Sequence, residues 1–314
     1  MEKVIFDTNA YRYMSTGRSF EELDKFIEKV KYRELQNNIE TLISPIVTKE
    51  LLAHLADKSD PSFEKCLNAN KALYFHSGST ESYNMIASPE LLISKAFWNK
   101  ELPSKIETNK ALGQISYQLA TNPTDYYFRK FQRNLNLNRD HVLETENNFA
   151  QTMLQFVRNV DPSSTSWRPF ANDDANRVKL LETIRSYSTS LDIAAGYLIV
   201  VYQLLYASGQ VMSISFDELF DKAVEFVKIF PEPIALYKVV MENLINSEFN
   251  ILENSRSNFV WDIHLMFNVG KHSIGESRLI FVTSDKAIIK TAINENAQYS
   301  IFTFDEYMEY LGLK

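Results

Sequence analysis

The sequence predicts an α/β protein: a parallel sheet covered by helices and built from both chain ends, with an α-helical domain inserted between them. Short apolar runs of strand length alternate with helical periodicities at the N-terminal end. The same alternation returns at the C-terminal end. Between about 57 and 255 strand-like runs become scarce and helical spacings dominate. Strands that alternate with helices put helices on both faces of a parallel sheet. The expected boundaries are 1–56 and 256–314 for the α/β domain and 57–255 for the helical insertion.

Val4-Ile5-Phe6 reads as a short buried strand. Phe20, Leu23, Phe26, Ile27 and Val30 then recur at helical spacing. Thr41-Leu42-Ile43 reads as a second strand. Ser44-Pro45 reads as a helix start, with Ser as N-cap and Pro at the first helical position, and the helix carries Ile46, Val47, Glu50, Leu51 and Leu55. In the middle of the chain, Leu191 to Ala207 reads as a core helix rather than a membrane span, because it is short and holds Asp192, Gly196 and Gln203. Ser215-x-x-Glu218 is a capping-box pattern ahead of an apolar helix that Pro231 to Pro233 should break. Asp161 to Thr165 and Phe170 to Asn176 read as loop. Near the C-terminal end, Asn258 or Ser257 can cap a helix carrying Phe259, Ile263, Met266 and Phe267. Leu279 to Thr283 is strand, Lys286 to Asn294 helix, Ser300 to Thr303 strand, and Asp305 to Leu311 a closing helix.

Composition narrows the class. Of 314 residues 45% are hydrophobic, with 21 Phe and 16 Tyr, enough for a substantial core. The net charge of −7 does not advertise nucleic-acid binding, although a local basic groove matters more than the sum. The single cysteine, Cys66, excludes an intrachain disulfide. No secretory pattern opens the chain, so a soluble cytoplasmic protein without membrane contact is the expectation.

Four acids stand where a divalent-metal site needs them. Asp7 and Asp285 each follow a strand-like run, and ligands of open α/β sheets bind beyond the carboxyl ends of the strands. Glu50 lies on the helix after the second strand, and Asp262 on the helix near the far end. Grouped carboxylates repel unless a cation neutralises them. Mg²⁺ takes such oxygens while keeping room for water and phosphate. Taken singly, an Asp after a strand is more often a turn or helix cap, and a Glu such as Glu50 a solvated helix residue. The signal lies in four acids together, each at the right end of the right element.

Val4-Ile5-Phe6-Asp7-Thr8-Asn9 resembles the opening motif of the PIN-domain nucleases. Ser44 to Leu51, with its Glu six residues past the Ser, resembles their second motif. Asn258-x-x-x-Asp262-Ile263-His264 resembles the third, and Phe281-Val282-Thr283-Ser284-Asp285 the fourth. Ile301 to Glu306 is similar to the family's last strand and helix. The resemblance implies a PIN-like sheet and a Mg²⁺- or Mn²⁺-dependent endoribonuclease. In it Asp7, Glu50, Asp262 and Asp285 hold metal and position the attacking water, supported by Asn9, Thr283 and Ser284. It further implies RNA as substrate. A toxin-like setting would add an inhibitory protein partner, and homo-oligomers are compatible. The insertion of nearly two hundred residues departs from a plain PIN domain.

Tyr126 to Arg133 interleaves aromatic and basic residues. It is either an ordinary amphipathic helix burying Phe128 and Phe131, or a substrate-binding surface using Arg129, Lys130 and Arg133. His54 can face the site or support it from outside. His272 is a further candidate for substrate contact, and Trp167, in a Ser-, Asn- and Asp-rich loop, is either a packed ring or a base-stacking one. Two rival functions remain at this level. One is a catalytically inactive PIN-like module that binds RNA or protein. The other is a metal-dependent phosphatase for small substrates, disfavoured because Asp7-Thr8-Asn9 lacks the second Asp of an Asp-x-Asp motif.

Overall fold

In the computed structural model the described residues are 2–77, 84–159, 161–164, 168–170, 173–246, 250–252, 258–269 and 279–314. The chain begins with β1 (Glu2–Phe6), α1 (Thr8–Ser15), α2 (Phe20–Gln36), β2 (Ile39–Thr41), α3 (Pro45–His54) and α4 (Phe63–Ser77). A helical run follows: α5 (Pro89–Trp98), α6 (Pro103–Thr121), α7 (Asp125–Arg158), α8 (Asp174–Arg185), α9 (Tyr187–Ala207), α10 (Phe216–Ile229), α11 (Pro231–Asn246) and α12 (Phe259–Met266). It closes with β3 (Leu279–Val282), α13 (Lys286–Asn294), β4 (Ile301–Phe302) and α14 (Phe304–Tyr310). The protein is thus a mostly helical α/β chain with one four-stranded sheet among the described residues.

Two compact units divide the chain. The first comprises Met1–Leu91, Leu102–Val142 and Asn268–Lys314, so residues beyond 56, including α4 and α6, group with the sheet. The strand order is β2-β1-β3-β4, all parallel. Two strands come from each chain end. Val4, Ile5 and Phe6 on β1 and Ile280, Phe281 and Val282 on β3 are all buried, as expected of central strands covered on both faces. Phe6 pairs with Val282, so β1 and β3 end side by side.

Local chemistry sets the helix starts. Ser19 and Glu22 form a capping box ahead of α2, whose buried residues Leu23, Ile27, Val30 and Glu34 make one stripe. Ser44 accepts from the Val47 N–H and Pro45 occupies the first turn of α3, as the sequence predicts. The second strand is displaced from Thr41-Leu42-Ile43. Asn38 turns the chain at φ 56, which Asn tolerates, and pairing begins at once with Ile39. Ile43 then makes only an isolated bridge to Met85.

A buried polar cluster ties the elements behind β1. The Glu34 carboxylate accepts from Tyr307 Oη at 2.8 Å and from Thr41 Oγ1 at 2.8 Å. His76 Nε2 meets its two oxygens at 2.9 and 3.0 Å. Phe6 packs on the His76 ring at 4.7 Å and on Tyr307 at 5.4 Å. One carboxylate therefore joins α2, β2, α4 and α14 around the residue that precedes Asp7.

The second unit, Leu92–Glu101 and Leu143–Phe267, is helical among its described residues. Phe97, Tyr197, Phe226, Phe230 and Phe267 form its aromatic core, with Tyr197 and Phe267 5.0 Å apart and Phe226 and Phe230 5.1 Å apart. The Ser215–Glu218 capping box forms, and the helix stops at Ile229 before Pro231 opens α11. α9 is long and apolar enough to cross a membrane by length and composition, which is weak evidence on its own. It packs on α10 but leaves Ile199, Val200 and Tyr206 exposed, so it is less a core helix than its composition predicts. Two further expectations are corrected. Asn258 has helical backbone and makes no side-chain cap, because capping requires an extended backbone; Ser257 lies outside the described residues. The expected loop from Phe170 to Asn176 is shortened, because Asp173 caps α8 by accepting from the Asn176 N–H at 3.0 Å.

Candidate active site

The adjacent ends of β1 and β3 bring Asp7 and Thr283 together. The Asp7 N–H donates to the Val282 carbonyl at 3.0 Å, which continues the ladder one residue beyond the strand. Thr283 Oγ1 then donates to Asp7 Oδ2 at 2.6 Å, and the Asp285 N–H donates to Thr283 Oγ1 at 3.0 Å. Both acids also cap helices. Asp7 Oδ1 accepts from the Ala10 N–H at the start of α1. Asp285 Oδ1 accepts from the Ala287 and Ile288 N–H groups at 2.7 and 2.9 Å at the start of α13. Two helix N-termini and two carboxylates thus share one rim of the sheet, where the helix dipoles favour negative charge.

Asp7 is only 5% exposed. Burial pushes its pKa up to about 6, the hydrogen bonds from Thr283 and Ala10 pull it down, and the Asp285 charge pushes it up again. The Arg12 guanidinium, on α1, also pulls it down. Arg12 Nη2 reaches Cys66 Sγ at 3.3 Å, while Nε is buried without a hydrogen bond among the described residues. Glu50 joins this neighbourhood through Thr8, whose hydroxyl donates to Glu50 Oε2 at 2.7 Å.

The other sequence candidates fall as follows. Thr283 supports Asp7 directly, whereas Asn9 is exposed and Ser284 half-buried. Asp262 is half-buried on α12 and belongs to the second unit, while Asp7, Glu50 and Asp285 belong to the first. His54 Nδ1 meets Asp60 Oδ2 at 2.9 Å and is occupied there. Burial pushes Asp60 up, but the His54 bond and the Ser62 N–H together hold it below its usual value. His264 is half-buried on α12, its ring against Trp261 and Tyr197. His272 and Trp167 lie outside the described residues. On α7, Phe128 is buried against Phe63, while Arg129, Lys130 and Arg133 are exposed. Thr8 and Arg12 escaped the sequence reading. Thr8 stood inside the first motif and was the more legible; Arg12 falls one turn further along the same helix.

Among the described residues no group of three or more His, Cys, Asp or Glu side chains is placed to hold a metal ion. The rim instead assembles the pair Asp7 and Asp285. That pair suits the hard-cation pattern in which one or two carboxylates bind and water and substrate oxygens complete the shell. Its electrostatics agree: a desolvated carboxylate beside a like charge is what a cation relieves. Compared with protein-family models, curated proteins and solved structures, the chain matches none.

Proposed function

We propose that the chain is a PIN-like, Mg²⁺- or Mn²⁺-dependent endoribonuclease whose sheet carries a helical insertion. The observation that carries this reading is the Thr283–Asp7 hydrogen bond with Asp285 beside it, at the adjoining carboxyl ends of two parallel strands. Asp7 and Asp285 would hold the cation. Thr283 fixes the Asp7 carboxylate, and the backbone N–H groups of Ala287 and Ile288 fix that of Asp285. When bound, the cation supplies charge stabilisation at the phosphate and lowers the pKa of water. Glu50, held from Thr8, takes the proton of the attacking water. Arg12 offsets phosphate charge from the Asp7 side. The water oxygen forms the new P–O bond as the in-line bond from phosphorus to the ribose oxygen breaks, and that oxygen takes a proton from solvent and leaves as a hydroxyl.

A cleavage assay on single-stranded RNA with Mn²⁺ or Mg²⁺ tests this. The unaltered chain should cut RNA only with the cation, and Asp7→Asn should lose about a hundredfold or more of that rate, the scale of a lost electrostatic group. Equal cutting by both proteins would refute the site.

A second reading, a non-catalytic binding module on the same sheet, is favoured by the capping bonds that already engage Asp7 and Asp285, and by the absence among the described residues of a group of three or more His, Cys, Asp or Glu side chains placed to hold a metal. RNA bound but never cut, with no cation dependence, would select it.

A further inference from the structure

We propose that the shallow groove between α6 and the first half of α7 binds single-stranded RNA and leads it toward Glu50, an inference that rests on the ribonuclease reading above. Two adjoining depressions of about 430 and 530 Å³ share Lys130. The first is lined by the amides Gln114, Gln118 and Asn134 and by the Tyr117 and Phe131 rings. The second is lined by Tyr126 and Arg129.

The groove has the chemistry of a single strand's three faces. The Tyr127 and Phe131 rings lie nearly parallel at 19°, 6.2 Å apart, and the Lys130 ammonium stands over both at 5.6 and 5.4 Å. Tyr126 is 66% exposed and offers a further ring face. Arg129 and Arg133 project into solvent beside them. The one acid in the first turn of α7, Asp125, is paired with Lys58, which leaves the strip positive in a chain of net charge −7. Phosphates are held by cations, unstacked bases by rings, and base edges by amides. A duplex keeps its bases stacked inside and cannot use the rings. An acidic protein segment matches the charge but not the ring faces.

The helix that carries these residues also packs beside Glu50. The Gln132 amide donates to the Ala56 carbonyl at 2.7 Å, and the Asn138 amide to the Lys49 carbonyl at 2.8 Å. Lys49 immediately precedes Glu50. From Lys130 to Asn138 the helix advances about 12 Å, a span that a short oligonucleotide covers.

The test is fluorescence anisotropy with a fluorescein-labelled oligouridine in EDTA at low salt, where nothing is cut. The unaltered chain should bind the oligonucleotide. A triple variant, Arg129→Glu, Lys130→Glu and Arg133→Glu, should bind at least about tenfold more weakly, with a log–log salt slope shallower by about 2. Tyr126→Ala should weaken binding about fivefold or more. All four side chains are substantially exposed, and circular dichroism confirms folding. Three results would overturn the groove: a triple variant that binds like the unaltered chain, duplex RNA competing as well as single strand, or binding of polyglutamate but not RNA. Intact binding without cleavage in Mn²⁺ would instead count against the catalytic reading alone.

Discussion

Asp7 serves the fold as an N-cap and resists it as a buried charge, and an asparagine separates the two. The carboxylate binds its proton more tightly folded, with a pKa of about 6, than at its ordinary 3.8. Protonation therefore favours the fold. That contribution is complete below 3.8 and is lost as the pH rises through 6, so ionised Asp7 costs about 3 kcal/mol above it. Asn keeps an acceptor for the Ala10 N–H, carries no charge, and caps as well as Asp. Urea unfolding should show Asp7→Asn more stable than the unaltered chain at pH 8, by up to about 3 kcal/mol, with the gap closing near pH 4. A variant less stable at pH 8 would mean that Asp7 is a structural cap and nothing more. Thr283→Val removes the hydroxyl that Asp7 accepts from and should destabilise by about 2 kcal/mol at pH 8, the usual scale for a bond to a charged group. An unchanged unfolding midpoint would contradict the bond.

Elements are held to one another by a few polar contacts that hydrophobic spacing does not reveal. Glu34 sits on the buried stripe of α2, where an acid looks out of place, and its partners Thr41, His76 and Tyr307 are scattered through the chain. Glu34→Ala strands three buried polar groups and should cost at least about 3 kcal/mol, read as a fall in the urea midpoint. No measurable loss would show the cluster to be dispensable. The elements whose signals are local were legible: the Ser44-Pro45 start of α3, the Ser215–Glu218 box, and the apolar β1 and β3. Those whose ends depend on distant partners were not. β2 shifted because its register is set by Val4 opposite Thr41. The cap at Asn258 failed on backbone conformation, and the loop before α8 shortened because Asp173 was free to cap.

At the scale of the whole molecule, the parallel sheet with two strands from each chain end followed from the alternation of apolar runs. The grouping of α4, α6 and the start of α7 with that sheet did not. It depends on contacts such as the reciprocal bonds between Asn70 and Ser116 and the amide bond from Asn138 to Lys49, none of which has a periodic signature. For the site, the strand-end acids and Thr283 were readable because strand ends fix where side chains project. Glu50's link through Thr8 and the charge of Arg12 needed the packed helices. Binding of Mn²⁺, followed by the loss of its free-ion electron paramagnetic resonance signal, tests the rim itself. The unaltered chain should take up Mn²⁺ at pH 8, and Asp7→Asn and Asp285→Asn should each weaken that uptake by about tenfold or more, as removal of one of the two proposed carboxylate ligands implies. Uptake by both variants equal to that of the unaltered chain, or no uptake by any of the three, would contradict the account.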